Sequence, residues 1–128
     1  MAYNFLVVDD SVTVRRMIGK TLALSGLPVQ EVFQASNGRE ALAILDANWI
    51  DLVLTDINMP EMDGMEMVRA MSNDEVLRAV PVVVVSTEGS QTRIQELKDR
   101  GVRGYIRKPF TPEAIKGVVE GILGGRDG

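Results

Sequence analysis

Phe5-Leu6-Val7-Val8-Asp9-Asp10-Ser11 is the stretch that decides how this chain folds. Four consecutive apolar residues suit a strand covered on both faces, because a sheet with one wet face would place a polar residue at every second position. Three polar residues end the run, and helical spacing follows at Val14, Met17, Ile18 and Leu22. The pattern repeats down the chain. Apolar runs stand at Val32-Phe33, Leu52-Val53-Leu54, Val82-Val83-Val84-Val85 and Tyr105-Ile106, with Val32-Phe33 the weakest of the signals. Between and after them, helical spacing recurs at Ala41, Leu42 and Leu45; at Met65, Val68 and Met71; at Ile94 and Leu97; and at Ile115, Val118, Val119 and Ile122. Gly26 and Gly101 stand where C-terminal caps belong, and Thr111-Pro112 reads as an N-cap followed by a first-turn proline. Five strands alternating with five helices predict an α/β domain with a doubly wound parallel sheet, since each right-handed crossover must cover a face.

Composition narrows the chemistry. The 128 residues include no Cys and no His, which excludes thiol and imidazole nucleophiles, the usual zinc sites and a Ser-His-Asp triad. Carboxylates, hydroxyls, Lys or a hard cation must carry any reaction. With 14 Lys and Arg against 18 Asp and Glu, the net charge of −4 supplies no basic stripe, so nucleic acid is not expected as a partner. The run from Val82 to Val85 is far shorter than the roughly 20 apolar residues that span a bilayer. No charged leader precedes Phe5, and a soluble cytoplasmic protein is expected. Residues 1–123 read as one domain and 124–128, Gly-Gly-Arg-Asp-Gly, as a flexible tail with nothing to pack.

In an open parallel sheet, ligands bind outside the carboxyl ends of the strands, near the point where strand order reverses. Those ends are occupied here by Asp9 and Asp10, by Asp56, by Ser86 and Thr87, and by Lys108. Each has a plain alternative: Asp9-Asp10 as a helix N-cap, Asp56 as a turn former, Ser86 or Thr87 as a cap, Lys108 as a solvated charge. Their joint placement at four strand ends is what those alternatives do not predict. Three gathered carboxylates repel unless a cation holds them, and Mg2+ suits hard oxygen ligands with waters completing its shell.

Val7-Val8-Asp9-Asp10-Ser11, Thr55-Asp56-Ile57-Asn58-Met59-Pro60-Glu61-Met62-Asp63-Gly64, Ser86-Thr87 and Lys108-Pro109-Phe110, taken in order and at this spacing, resemble the signature of two-component response-regulator receiver domains over nearly the whole chain. The resemblance implies a flavodoxin-like fold with strand order 2-1-3-4-5. It implies that Asp56 accepts a phosphoryl group from a histidine kinase or phosphotransfer domain. Asp10, Asp56 and the main-chain carbonyl of Asn58 would ligate Mg2+, with Asp9 acting mainly through water. Lys108, after a cis Lys108-Pro109 bond, and Ser86 would contact the phosphoryl oxygens, and Tyr105 matches an aromatic switch position. Tyr105 also reads as a half-buried strand aromatic. Arg15 and Arg16 read either as a kinase contact or as a solvated helix face.

The Met-rich stretch Met59, Met62, Met65, Met67 and Met71 reads as core and loop packing rather than an adaptable binding surface. Ile57 stands where relatives can carry an aromatic, and Thr87 where the family often has a small residue. Two other α/β readings are weaker. A dehalogenase-like phosphatase needs a second Asp two residues after its nucleophile, where this chain has Asn58; a nucleotide or flavin carrier needs a glycine-rich loop after the first strand, and none is present. The expected role is therefore a stand-alone, monomeric signalling switch rather than an enzyme of turnover. Its output would pass to a target protein through the fourth helix, fifth strand and fifth helix, where Gln95, Lys98, Arg103, Glu113 and Lys116 are expected at the surface. Tyr105, Asn58 and Glu88 together favour chemotaxis over a phosphorelay intermediate.

Overall fold

A computed structural model describes residues 2–87 and 91–124, and the sheet it shows has the expected order, β2-β1-β3-β4-β5, all parallel. The strands are β1 (Tyr3–Val8), β2 (Val29–Ala35), β3 (Leu52–Thr55), β4 (Val82–Ser86) and β5 (Gly104–Arg107). The helices are α1 (Val12–Leu24), α2 (Gly38–Ala47), α3 (Gly64–Ser72), α4 (Gln91–Asp99) and α5 (Pro112–Leu123), with a 3-10 turn at Leu77–Ala79.

Alternation along the central strands sorts their side chains into two cores. Leu6 and Val8 of β1, Val53 of β3 and Val82 and Val84 of β4 face α2, α3 and α4, burying Ala41, Leu45, Met67, Val68, Met71 and Leu97. Phe5, Val7, Leu52, Leu54, Val83 and Val85 face α1 and α5, burying Ile18, Leu22, Ile115, Val119 and Leu123. Both faces of β1, β3 and β4 are therefore dry, which is why their sequences are unbroken apolar runs. The edge strand β2 extends well beyond Val32-Phe33 in both directions, and its exposed Gln30, Glu31 and Gln34 explain the weak signal.

Punctuation falls where expected. Gly26 and Gly101 have φ of 87° and 103°, a left-handed backbone that favours glycine after a helix. Thr111 caps α5 by accepting from the Ala114 N–H, with Pro112 in the first turn. Met67 and Met71 are buried, and Met59, Met62 and Met65 pack against the same core, so the methionines serve packing. Of the expected tail, Gly124 is the C-cap of α5, while residues 125–128 lie outside the described residues. Among the described residues no helix is long and apolar enough to cross a membrane.

Candidate functional site

The carboxyl ends of β1, β3 and β5 bring the expected acidic and basic groups together. Asp56 follows β3 directly, its N–H donating to the Val8 carbonyl at 3.0 Å, so the β1–β3 ladder holds it beside Asp9. One carboxylate oxygen from each of Asp9, Asp10 and Asp56 lies within 4.8 Å of the other two. Asp9 is buried, Asp56 half-buried and Asp10 exposed, which makes a pocket closed at its base and open at its rim. The Lys108 Nζ sits 3.4 Å from Asp9 Oδ2 and 3.9 Å from Asp56 Oδ2. The Lys108-Pro109 bond is cis, as the resemblance implies.

The plain alternatives can now be weighed against geometry. Asp9 does not cap α1: Ser11 does, its Oγ accepting from the Val14 N–H at 3.2 Å, while Asp9 Oδ1 accepts from the Ser11 N–H at 2.9 Å. Burial pushes the Asp9 carboxyl above its ordinary value, and the Ser11 N–H and the Lys108 ammonium offset part of that rise. Asp56 Oδ1 accepts from its neighbour's Ile57 N–H at 2.7 Å, leaving Oδ2 turned toward Lys108. Ser86, at the end of β4, is buried, and its carbonyl accepts from the Lys108 N–H at 2.8 Å. Thr87 and Asn58 are exposed. Glu88, expected at the rim, lies outside the described residues.

Tyr105 pairs with Val84 in the β4–β5 ladder and packs against the α2–α4 core. Its hydroxyl is shielded from water and has no hydrogen-bond partner among the described residues, so the ring is already turned inward here. On the expected output face, Gln95, Lys98, Arg103 and Glu113 are exposed. Lys116 is half-buried, and its ammonium lies toward Gly26 at the end of α1, where a side-chain Cβ would stand 3.7 Å from it.

Three supports were not read from the sequence as parts of the site. Arg15 reaches back along α1 to donate to the Asp9 carbonyl at 2.6 Å and, through Nε, to Gln34 on β2 at 3.1 Å, tying the acidic turn to two strands. Asn37 donates to Glu61, a residue with φ of 63°, joining the loop before α2 to the loop that carries Asn58. Gly64 lies so close to β3 that a Cβ there would meet the Asp56 carbonyl oxygen at 2.5 Å. Only the Asp-Gly pair opening α3 was available as a signal, because the other two depend on pairings distant in sequence.

The order of motifs, the sheet order and this convergence agree with a family model, the response regulator receiver domain, that matches residues 5–120. The chain belongs to the response-regulator receiver family. Among curated relatives, this receiver domain is 43% identical to chemotaxis protein CheY1 of Helicobacter pylori, across 97% of this chain and 99% of that protein. It is 40% identical to chemotaxis protein CheY of Pseudomonas aeruginosa, across 94% of this chain and 95% of that protein. Among solved structures, the chemotaxis response regulator CheY4 of Vibrio cholerae superposes with a TM-score of 0.84 at 36% identity, over 96% of this chain and all of that one. The receiver domain thus has the α/β architecture of its relatives, and it is a signalling domain of the two-component kind.

The donor set of the receiver domain fits a divalent cation. Three carboxylates supply hard oxygens within reach of one centre, and burial, which raises the Asp9 carboxyl, disfavours its charged form where no positive charge compensates. Lys108 alone brings one positive charge to three carboxyls.

Proposed function

We propose that the chain is a phosphorylation switch in which Asp56 accepts a phosphoryl group from a histidine kinase or phosphotransfer domain in a Mg2+-dependent reaction. The observation that carries this reading is the Lys108 ammonium set between Asp9 and Asp56, with a third carboxylate within ligating distance. Asp10, Asp56 and the Asn58 carbonyl would hold the cation, with Asp9 behind them. When bound, it supplies positive charge against the anionic oxygens of the donor and acceptor. The Asp56 carboxylate attacks phosphorus, an O–P bond forms as the P–N bond of the phosphohistidine breaks, and the imidazole nitrogen keeps the electron pair. Lys108 meets one phosphoryl oxygen and Ser86 another.

Near-full-length similarity to chemotaxis proteins favours chemotaxis as the pathway, with a phosphorelay intermediate as the second reading. The domain works in the cytoplasm as a monomer and passes its signal by binding a target protein across α4, β5 and α5. It is a switch and not an enzyme of turnover. Asn58, standing where a dehalogenase-like phosphatase needs its acid, supports that distinction.

Incubation with acetyl phosphate and Mg2+ followed by intact-mass and peptide mapping is the test. One phosphoryl group should appear on Asp56, none should appear in Asp56→Asn at that position, and chelation should suppress the gain. Turnover of unrelated phosphoesters without labelling of Asp56 would reject the proposal.

A further inference from the structure

Away from the acidic pocket, three cations gather without partners. Arg69 on α3, Arg78 in the 3-10 turn and Arg100 just after α4 are exposed, and none makes a side-chain hydrogen bond or ion pair among the described residues. Acidic residues outnumber basic ones, so this is not for want of carboxylates. Apart from the exposed Glu75, the acidic side chains nearby in sequence are committed elsewhere. Glu66 closes a capping box with Asp63, Asp74 accepts from the Val76 and Leu77 N–H groups, and Asp99 accepts from Gln95.

The arginines also share a groove. Arg69 and Arg100 line a hollow of about 180 Å³ whose apolar wall is Met65 and Val68. Arg78 and Arg100 line a second of about 70 Å³, floored by Val68, Met71 and Leu77. Val68, Ser72 and Arg100 belong to both, so the two hollows are continuous. The second reaches Val82, the first residue of β4, at the end of the sheet opposite Asp56.

We infer that this groove docks an extended acidic segment of a partner protein, with carboxylates on Arg69, Arg78 and Arg100. Guanidinium groups pair with carboxylates through two parallel hydrogen bonds. A compact phosphate would fill one hollow; an extended segment reaches all three cations. On a domain of net charge −4, an acidic partner is disfavoured across most of the surface, which concentrates its binding where the cations are unpaired.

The test is an amide chemical-shift titration of the full chain with a synthetic peptide, Glu-Glu-Leu-Glu-Glu-Val-Glu-Leu, and two controls in which its apolar residues become Ser or its Glu residues become Lys. The acidic-apolar peptide should shift Val68, Ser72, Arg100 and Gly101, and its affinity should fall as salt rises. The Ser control, which keeps the carboxylates, should bind at the same site, and the Lys control should not bind there. Exchanging all three arginines for Gln should lower affinity about ten-fold, roughly 1.4 kcal/mol in all, and leave the remaining amide spectrum unchanged. Shifts centred on any other face, or affinity unaltered in the triple variant, would overturn the inference. So would inorganic pyrophosphate moving the same resonances as strongly as the peptide, which would mark a small-anion site.

Discussion

Lys108 holds one ammonium between two carboxylates in the resting domain, nearer to the buried Asp9 than to the proposed acceptor. A cation entering this pocket relieves repulsion that exists only in the folded chain, so it stabilises by mass action on the native state. Millimolar Mg2+ should therefore raise the melting temperature, and Asp10→Asn should shrink the rise; an equal shift in both proteins would contradict the assignment of Asp10. Tyr105 makes a separate statement about energy. A buried hydroxyl without a partner costs on the order of 1–3 kcal/mol, and that of Tyr105 has none among the described residues, so Tyr105→Phe should leave the free protein as stable as the parent or more stable by about 1 kcal/mol in urea unfolding. A marked loss of stability would mean that the hydroxyl is paired. The convergence of the site's residues was legible because they are rare in this arrangement: acids, a hydroxyl and a lysine at successive strand ends. The side-chain conformation of Tyr105 was not, since an aromatic at a strand position is compatible with either orientation.

Elements read well where their surroundings were uniform. β1, β3 and β4 are dry on both faces and announce themselves as unbroken apolar runs, whereas β2 lies at the edge, mixes Gln30, Glu31 and Gln34 with Val32 and Phe33, and was seen only in part. Its length comes from pairing with β1 across the whole of that strand, a long-range condition that local pattern does not carry. The entry to α2 gives an element-level test. Glu40 Oε1 accepts from both the Ser36 N–H and the Ser36 hydroxyl, and these bonds hold its carboxyl below its ordinary 4.5. A lowered folded-state value means that the stabilisation is present above pH 4.5 and is lost as pH falls through the lower folded value. Glu40→Gln should thus melt slightly below the parent at pH 7, the difference being small because the group is exposed, and the gap should close in acid. A gap that persists at pH 3 would count against this account. At β5, a Cβ on Gly104 would meet Val118 Cγ1 at 2.9 Å, so Gly104→Ala should cost roughly 1–3 kcal/mol by overpacking α5.

At the scale of the molecule, the acidic pocket and the proposed output face are joined through β4 and β5: Ser86 ends one strand, its carbonyl holds Lys108, and Tyr105 lies two residues back in the ladder partner. Phosphorylation adds roughly −1.5 to −2 charges at Asp56, and Ser86 is the group placed to follow them. Beryllofluoride should move amide resonances in α4, β5 and α5 of the parent, while Ser86→Ala should confine most shifts to the pocket; by linkage, a target that prefers the shifted face must favour phosphorylation. Parent shifts confined to the pocket would defeat this route. Trp49 offers a control, because it is exposed, bonds Asp51 and precedes β3 while Asp56 follows it, roughly 20 Å away at strand rise. Mg2+ should scarcely quench its fluorescence. Gly64 carries a different lesson for anyone ranking positions by how many replacements they accept. Its missing Cβ is what lets α3 lie against the carbonyl of the proposed acceptor, so every side chain there should be rejected as firmly as a change at Asp56. A saturation library would score the two alike, and only a binding or labelling assay on the rare folded survivors would show that one position holds chemistry and the other holds clearance.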